Sequence, residues 1–206
     1  MSIVKLNNRG VRSATTFGSI SALGEMRFIK KQTASASSTI SFVDGTSDVV
    51  LDDTYKEYLF TFKDLHPSED GKKLRVNFSA DGGSNYNVTK TTTLFYSRHN
   101  EADDNTALSY EASWDLAQST SQQFLTNDVG TDNDQSQAGF LRLFNPSSTT
   151  FVKHFMAETS TYHYGDYYYQ LFIAGYCNTT SAVDAVQFDM SSGNIDAGDI
   201  CLYGIN

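Results

Sequence analysis

The sequence predicts an all-β protein: a jelly-roll-like antiparallel β-sandwich of about ten strands with an extended N-terminal arm. Three observations lead there. A two-residue rhythm of apolar and polar side chains recurs along the chain. It is clearest in Lys73-Leu74-Arg75-Val76-Asn77-Phe78-Ser79, where Leu74, Val76 and Phe78 point to one side and Lys73, Arg75 and Asn77 to the other. Loops rich in Ser, Thr, Asn, Asp and Gly separate such runs, and no stretch of helical period interrupts them for a useful length. Fourteen Phe and twelve Tyr among 206 residues supply apolar area that suits a pleated, half-buried surface.

The elements follow in order. Residues 1–24 are polar, small and locally basic, with neither strand nor helix spacing, and read as an arm that gains order on a partner, with Arg9 and Arg12 as its contact residues. Residues 25–206 form the sandwich domain, with first strands at 25–31 and 39–43 and a turn at Asp44-Gly45. Residues 55–65 carry Tyr58, Phe60 and Phe62 on one face and close at His66-Pro67-Ser68-Glu69-Asp70-Gly71, so that they and 73–79 are expected to form a hairpin. In this reading Leu74, Val76 and Phe78 are buried, while Lys73, Arg75 and Asn77 are exposed or at an interface. After the turn Asp81-Gly82-Gly83-Ser84-Asn85 comes a strand over 88–98. Residues 99–118 and 126–138 lack periodicity, with a short strand over 119–126 between them. Further strands are expected at 139–144, 150–159, 167–175, 185–190 and 199–205. Only two prolines occur, as fits backbone N–H groups committed to ladders.

A net charge of −9 opposes nucleic-acid binding, which needs a positive field, and no polybasic cluster or long apolar run suggests membrane insertion. Cys177 and Cys201 sit in apolar runs and read as two buried thiols, although neighbouring C-terminal strands would allow them to pair. The N-terminus shows no secretory h-region, so the three glycosylation sequons read as chance matches.

Sites for chemistry are sparse. Asp128, Asp132, Asn133 and Asp134 offer hard oxygen ligands for Ca²⁺, but the spacing of a calcium-binding loop is missing and a solvated acidic loop is the better reading. His66, His99, His154 and His163 form no metal array, and no nucleophile elbow is present. No catalytic residue, cofactor or metal is therefore expected. The most unusual composition is Tyr162-His163-Tyr164-Gly165-Asp166-Tyr167-Tyr168-Tyr169. Strand alternation puts Tyr168 opposite Tyr167 and Tyr169, so one face carries Tyr away from the core. Tyr164, Tyr167, Tyr168 and Tyr169 are the expected interface residues, with a sugar-binding surface as the alternative use of the same rings.

Several blocks also form a recognisable set. They include Lys5-Leu6-Asn7-Asn8-Arg9-Gly10-Val11, Phe28-Ile29-Lys30-Lys31-Gln32-Thr33-Ala34-Ser35, Asp53-Thr54-Tyr55-Lys56-Glu57-Tyr58, Asn145-Pro146-Ser147-Ser148-Thr149-Thr150-Phe151 and the closing Leu202-Tyr203-Gly204-Ile205. Over nearly the whole chain they resemble small structural proteins of tailed, notably marine, bacteriophages. The resemblance implies a non-enzymatic virion component on the particle exterior, as head decoration or cement or as a tail or neck fibre-type part. Such a protein is assembled in the host cytoplasm. Its expected partners are copies of itself, as a trimer, and capsid or tail proteins. A glycan- or receptor-binding module, meeting a host-surface glycan, is the second reading.

Overall fold

The computed structural model describes residues 26–206, and within them the chain forms twelve strands and no helix. The strands are β1 (Met26–Thr33), β2 (Ile40–Val43), β3 (Glu57–Pro67), β4 (Leu74–Ser79), β5 (Lys90–Asn100), β6 (Thr106–Tyr110), β7 (Gln123–Phe124), β8 (Gln137–Phe144), β9 (Lys153–His163), β10 (Tyr167–Cys177), β11 (Ala185–Met190) and β12 (Ile195–Ile205). They build an eight-stranded sheet in the order β1-β12-β3-β8-β9-β10-β5-β6 and a four-stranded sheet in the order β2-β11-β4-β7. Every pairing is antiparallel, so the molecule is an antiparallel β-sandwich. The expected arm, with Arg9 and Arg12, lies outside the described residues.

The core is built by the alternation. Leu74, Val76 and Phe78 of β4 are fully buried and face the large sheet. The small sheet's Phe42 and Phe188 meet Phe60 and Phe62 of the large sheet in edge-to-face contacts of 5.2–5.5 Å between ring centroids. Phe78 packs on Phe155 at 5.0 Å. Such aromatic pairs add a specific geometry to the hydrophobic term and fix how the sheets sit on one another. β3 and β12 share an irregularity where Asp64 takes a φ of 50° and Gly198 a φ of 105°. A side chain at Gly198 would collide with the Asp64 carbonyl, so glycine is needed there.

Several expectations are corrected. β3 and β4 do not form a hairpin, because they belong to opposite sheets. The residues between them cross the sandwich, tied on the way by Ser68 N–H to Asn194 O at 3.0 Å and Gly71 N–H to Val129 O at 2.9 Å. Two strands that present apolar faces to one core look alike in sequence whether they pair in a sheet or oppose each other across it. Asn77 is buried rather than exposed: its Nδ2 donates to Tyr86 O at 2.5 Å and Thr120 O at 3.1 Å, so neighbouring loops cover that side of β4. The region 99–118 holds strand β6 at the end of the large sheet, where Leu108 and Tyr110 share one face and both are exposed. The strand expected over 119–126 is reduced to Gln123–Phe124. Cys177 is buried and Cys201 only half-buried, and β10 and β12 are separated by β9, β8 and β3, which leaves both thiols free.

One interior row is polar. Lys90, Cys177 and Lys153 stand side by side on β5, β10 and β9. Lys90 is fully buried, and its Nζ donates to Asn77 Oδ1 at 2.7 Å and Val88 O at 3.1 Å. Lys153 Nζ donates to Phe151 O at 3.0 Å and Thr179 O at 3.2 Å. Burial pushes the Cys177 thiol up to about 12, which leaves it a packed, unreactive group.

Candidate binding face

The four-stranded sheet covers only one side of the eight-stranded sheet. On the other side the register lays out rows of side chains that run across the strands. One row reads Thr93, Ala174, Met156, Arg142, Leu59, Tyr203 and Phe28. The next contains Tyr110, Phe95, Phe172, Glu158 and Phe140. Phe95 and Phe172 stack at 4.8 Å with their planes 12° apart, and Phe28 meets Tyr203 edge-on at 5.6 Å. Met156 is 53% exposed, Phe95 43% and Phe28 57%. A groove of about 420 Å³ runs between Phe95, Phe140, Met156 and Phe172, with Ala157 and Ala174 in its lining. Isolated exposed apolar residues are ordinary, but a contiguous aromatic and Met patch on one sheet face marks an interaction surface. Arg142 pairs with Glu57 at 2.9 Å, and Glu158 accepts from the neutral Gln170 amide at 2.5 Å.

Beyond a polar row of Ser97, Gln170, Ser160 and Ala138, the same face ends in His99, Tyr168 and Tyr162, aligned on β5, β10 and β9. Tyr162 donates its hydroxyl to Glu101 Oε1 at 2.8 Å, and this bond is the main reason its pKa is pushed up to about 12. The His99 ring is held by Asp103 at 3.0 Å. Glu101 N–H donates to Asp166 O at 3.2 Å, tying the β5–β6 turn to the β9–β10 turn. A concavity of about 380 Å³ lies between these groups and the short side chains of Ser136, Ala138 and Ser160.

The four tyrosines expected at an interface are thus divided. Tyr168 stands on the outer face and is 52% exposed. Tyr164 is exposed in the β9–β10 turn, stacked on the His163 ring at 4.4 Å. Tyr169 is a core residue whose hydroxyl accepts from Arg98 at 3.1 Å, and half-buried Tyr167 lies beneath the Arg98 guanidinium at 5.3 Å. The sequence reading missed His99, Glu101 and Tyr162 as neighbours of Tyr168. Its acidic candidates do not converge: Asp128 pairs with Lys73, and Asp132 and Asp134 are exposed. Among the described residues no three His, Cys, Asp or Glu side chains are grouped to hold a metal. Comparison with protein families, characterised proteins and solved structures finds no match to this chain.

Proposed function

We propose that this chain is a non-enzymatic structural component of a bacteriophage virion, a β-sandwich that self-associates and docks on other virion proteins. The observation that carries the self-association is the apolar outer face of the eight-stranded sheet, where Phe95, Phe172, Met156 and Phe140 line one groove and the neighbouring Arg142 is paired with Glu57. A surface of this kind gains most by meeting a matching one, because aromatic and Met side chains dominate interface cores. The resemblance of several blocks along the chain to phage structural proteins suggests the virion setting, on the particle exterior as a decoration or fibre-type part. The strand order supports the jelly-roll element of the reading, since the chain changes sheet at each connection from β2 to β5. The expected assembly is a trimer.

Two measurements test this. Sedimentation velocity of the intact chain should show an oligomer that Met156→Glu together with Phe172→Glu converts to a folded monomer. A wild-type monomer at micromolar concentration would remove the self-association. Mass spectrometry of purified particles of the encoding phage should find the chain at many copies, and its absence would remove the virion role. Deleting residues 1–24 should leave the sandwich folded and lower incorporation into particles, and unchanged incorporation would remove the role of the arm.

A further inference from the structure

We infer that the concavity bounded by Tyr168, Tyr162, His99 and Glu101 is a binding site for a neutral sugar ring, the terminal residue of an uncharged glycan. The inference does not rest on the virion reading.

Tyr168 gives the site its platform. Its ring is half exposed in the middle of a cross-strand row, with His99 on one side and Tyr162 on the other. Directly opposed side chains on neighbouring strands are about 4.5–5.5 Å apart at Cβ, so the three aromatic side chains stand as neighbours in one row along the concavity. A pyranose has a face of C–H groups that lies against such a ring, while its hydroxyls need hydrogen-bonding partners at the edge. Those partners are present. Glu101 accepts the Tyr162 hydroxyl through Oε1, and Oε2 takes no part in that bond. Ser136 and Ser160 place short polar groups at the floor, where bulkier residues would fill the space.

The site is also built before a ligand arrives. The Tyr162–Glu101 bond fixes one wall, Asp103 holds His99, and the Glu101–Asp166 backbone bond holds two turns together. Prior ordering of this kind lowers the entropic cost of binding. The volume of about 380 Å³ falls near the lower end of the ~300–1,000 Å³ of small-ligand pockets, which suits one or two sugar residues. Charge selects the class of glycan. Glu101 lines the concavity, and Asp103 and Asp104 bond to its lining residues His99 and Asn100 on a chain of net charge −9, a field that opposes sialylated, sulfated and phosphorylated sugars.

The test uses the full chain and defined probes: glucose, galactose, mannose and N-acetylglucosamine, with N-acetylneuraminic acid as the acidic arm. Saturation-transfer NMR and titration should give saturable binding of at least one neutral probe in the millimolar range, with magnetisation passing to its ring C–H protons. Tyr168→Ala should weaken that binding at least tenfold and Tyr168→Phe should largely keep it. Glu101→Gln should weaken it several-fold. Tyr168 is on the surface, so its variants should keep the wild-type thermal midpoint, which is measured alongside. Absence of saturable binding by every neutral probe, equal binding by Tyr168→Ala, or binding confined to the acidic sugar would each overturn the inference.

Discussion

The buried amine of Lys90 should give this protein an unusual pH dependence. Desolvation is the main cause that lowers the Lys90 ammonium from 10.5 to about 8. No carboxylate is hydrogen-bonded to it: its Nζ is held by Asn77 Oδ1 and Val88 O. The sign follows from proton counts. Between pH 8 and 10.5 the unfolded chain keeps the proton and the folded chain has lost it, so stability rises with pH in this window. Below pH 8 both states carry the charge, and the folded state bears its full desolvation cost. A shift from 10.5 to about 8 corresponds to about 3 kcal/mol over the whole window, of which about 1 kcal/mol is regained between pH 7 and 9. Cys177 works in the opposite sense: its raised value means that stability is lost as pH climbs through 9 toward 12, and because Lys90→Met keeps Cys177 the difference between the two proteins isolates Lys90. The assay is urea unfolding at pH 7, 8 and 9 for the wild type and Lys90→Met. Met keeps the length of the aliphatic stem and removes the titrating group, at the cost of leaving Asn77 Oδ1 without this donor. Wild-type stability should rise by about 1 kcal/mol relative to the variant across that interval. Parallel profiles for the two proteins would refute the reasoning.

Three further outcomes are expected. Phe78→Ala, at a fully buried site packed on Phe155, should cost about 3–5 kcal/mol by chemical denaturation, and a loss below about 1 kcal/mol would mean that the site collapses around the gap. Gly204→Ala puts a methyl group into the ring of buried Tyr55, so overpacking should lower stability by about 1–3 kcal/mol in the same assay. Arg75 binds Asp189 through Nε at 3.0 Å and through a second nitrogen at 2.8 Å, and also donates to Met190 O at 2.9 Å. Arg75→Lys keeps the charge but not the fork, and thermal unfolding should report a loss of about 1 kcal/mol.

Which parts of this architecture were legible follows from what periodicity encodes. Alternation tells which side of a strand is apolar, and so Leu74, Val76 and Phe78 were placed in the core and Tyr168 opposite Tyr167 and Tyr169. It does not tell which strand lies alongside, and the supposed hairpin of β3 and β4 failed for that reason. Nor does it report a cover made by loops, which is how Asn77, with a polar side chain on the far side of β4, came to be buried beneath Tyr86 and Thr120. β6 escaped notice because it is only five residues long, with just Leu108 and Tyr110 as large apolar side chains on one face. The binding face was legible only as a surplus of tyrosine. Tyr162 and Glu101 meet across 61 positions of sequence, and that meeting depends on the register of β5, β10 and β9, which local composition does not specify.

The position of β12 has a consequence for how the molecule is made. This strand lies between β1 and β3, with Met26 opposite Ile205 and Tyr203 opposite Leu59. During synthesis β1 therefore emerges before β12, its partner among the described strands, and β3 gains its second neighbour only when residues 195–205 have left the ribosome. Until then the nascent chain holds open strand edges and apolar side chains, a state exposed to wrong pairing. Closure of the large sheet is thus a late, long-range event, slow in the way that distant strand pairings are. A chain cut short before Ile195 lacks the strand that joins β1 to the rest of the sheet, so premature termination should yield insoluble product rather than a smaller sandwich.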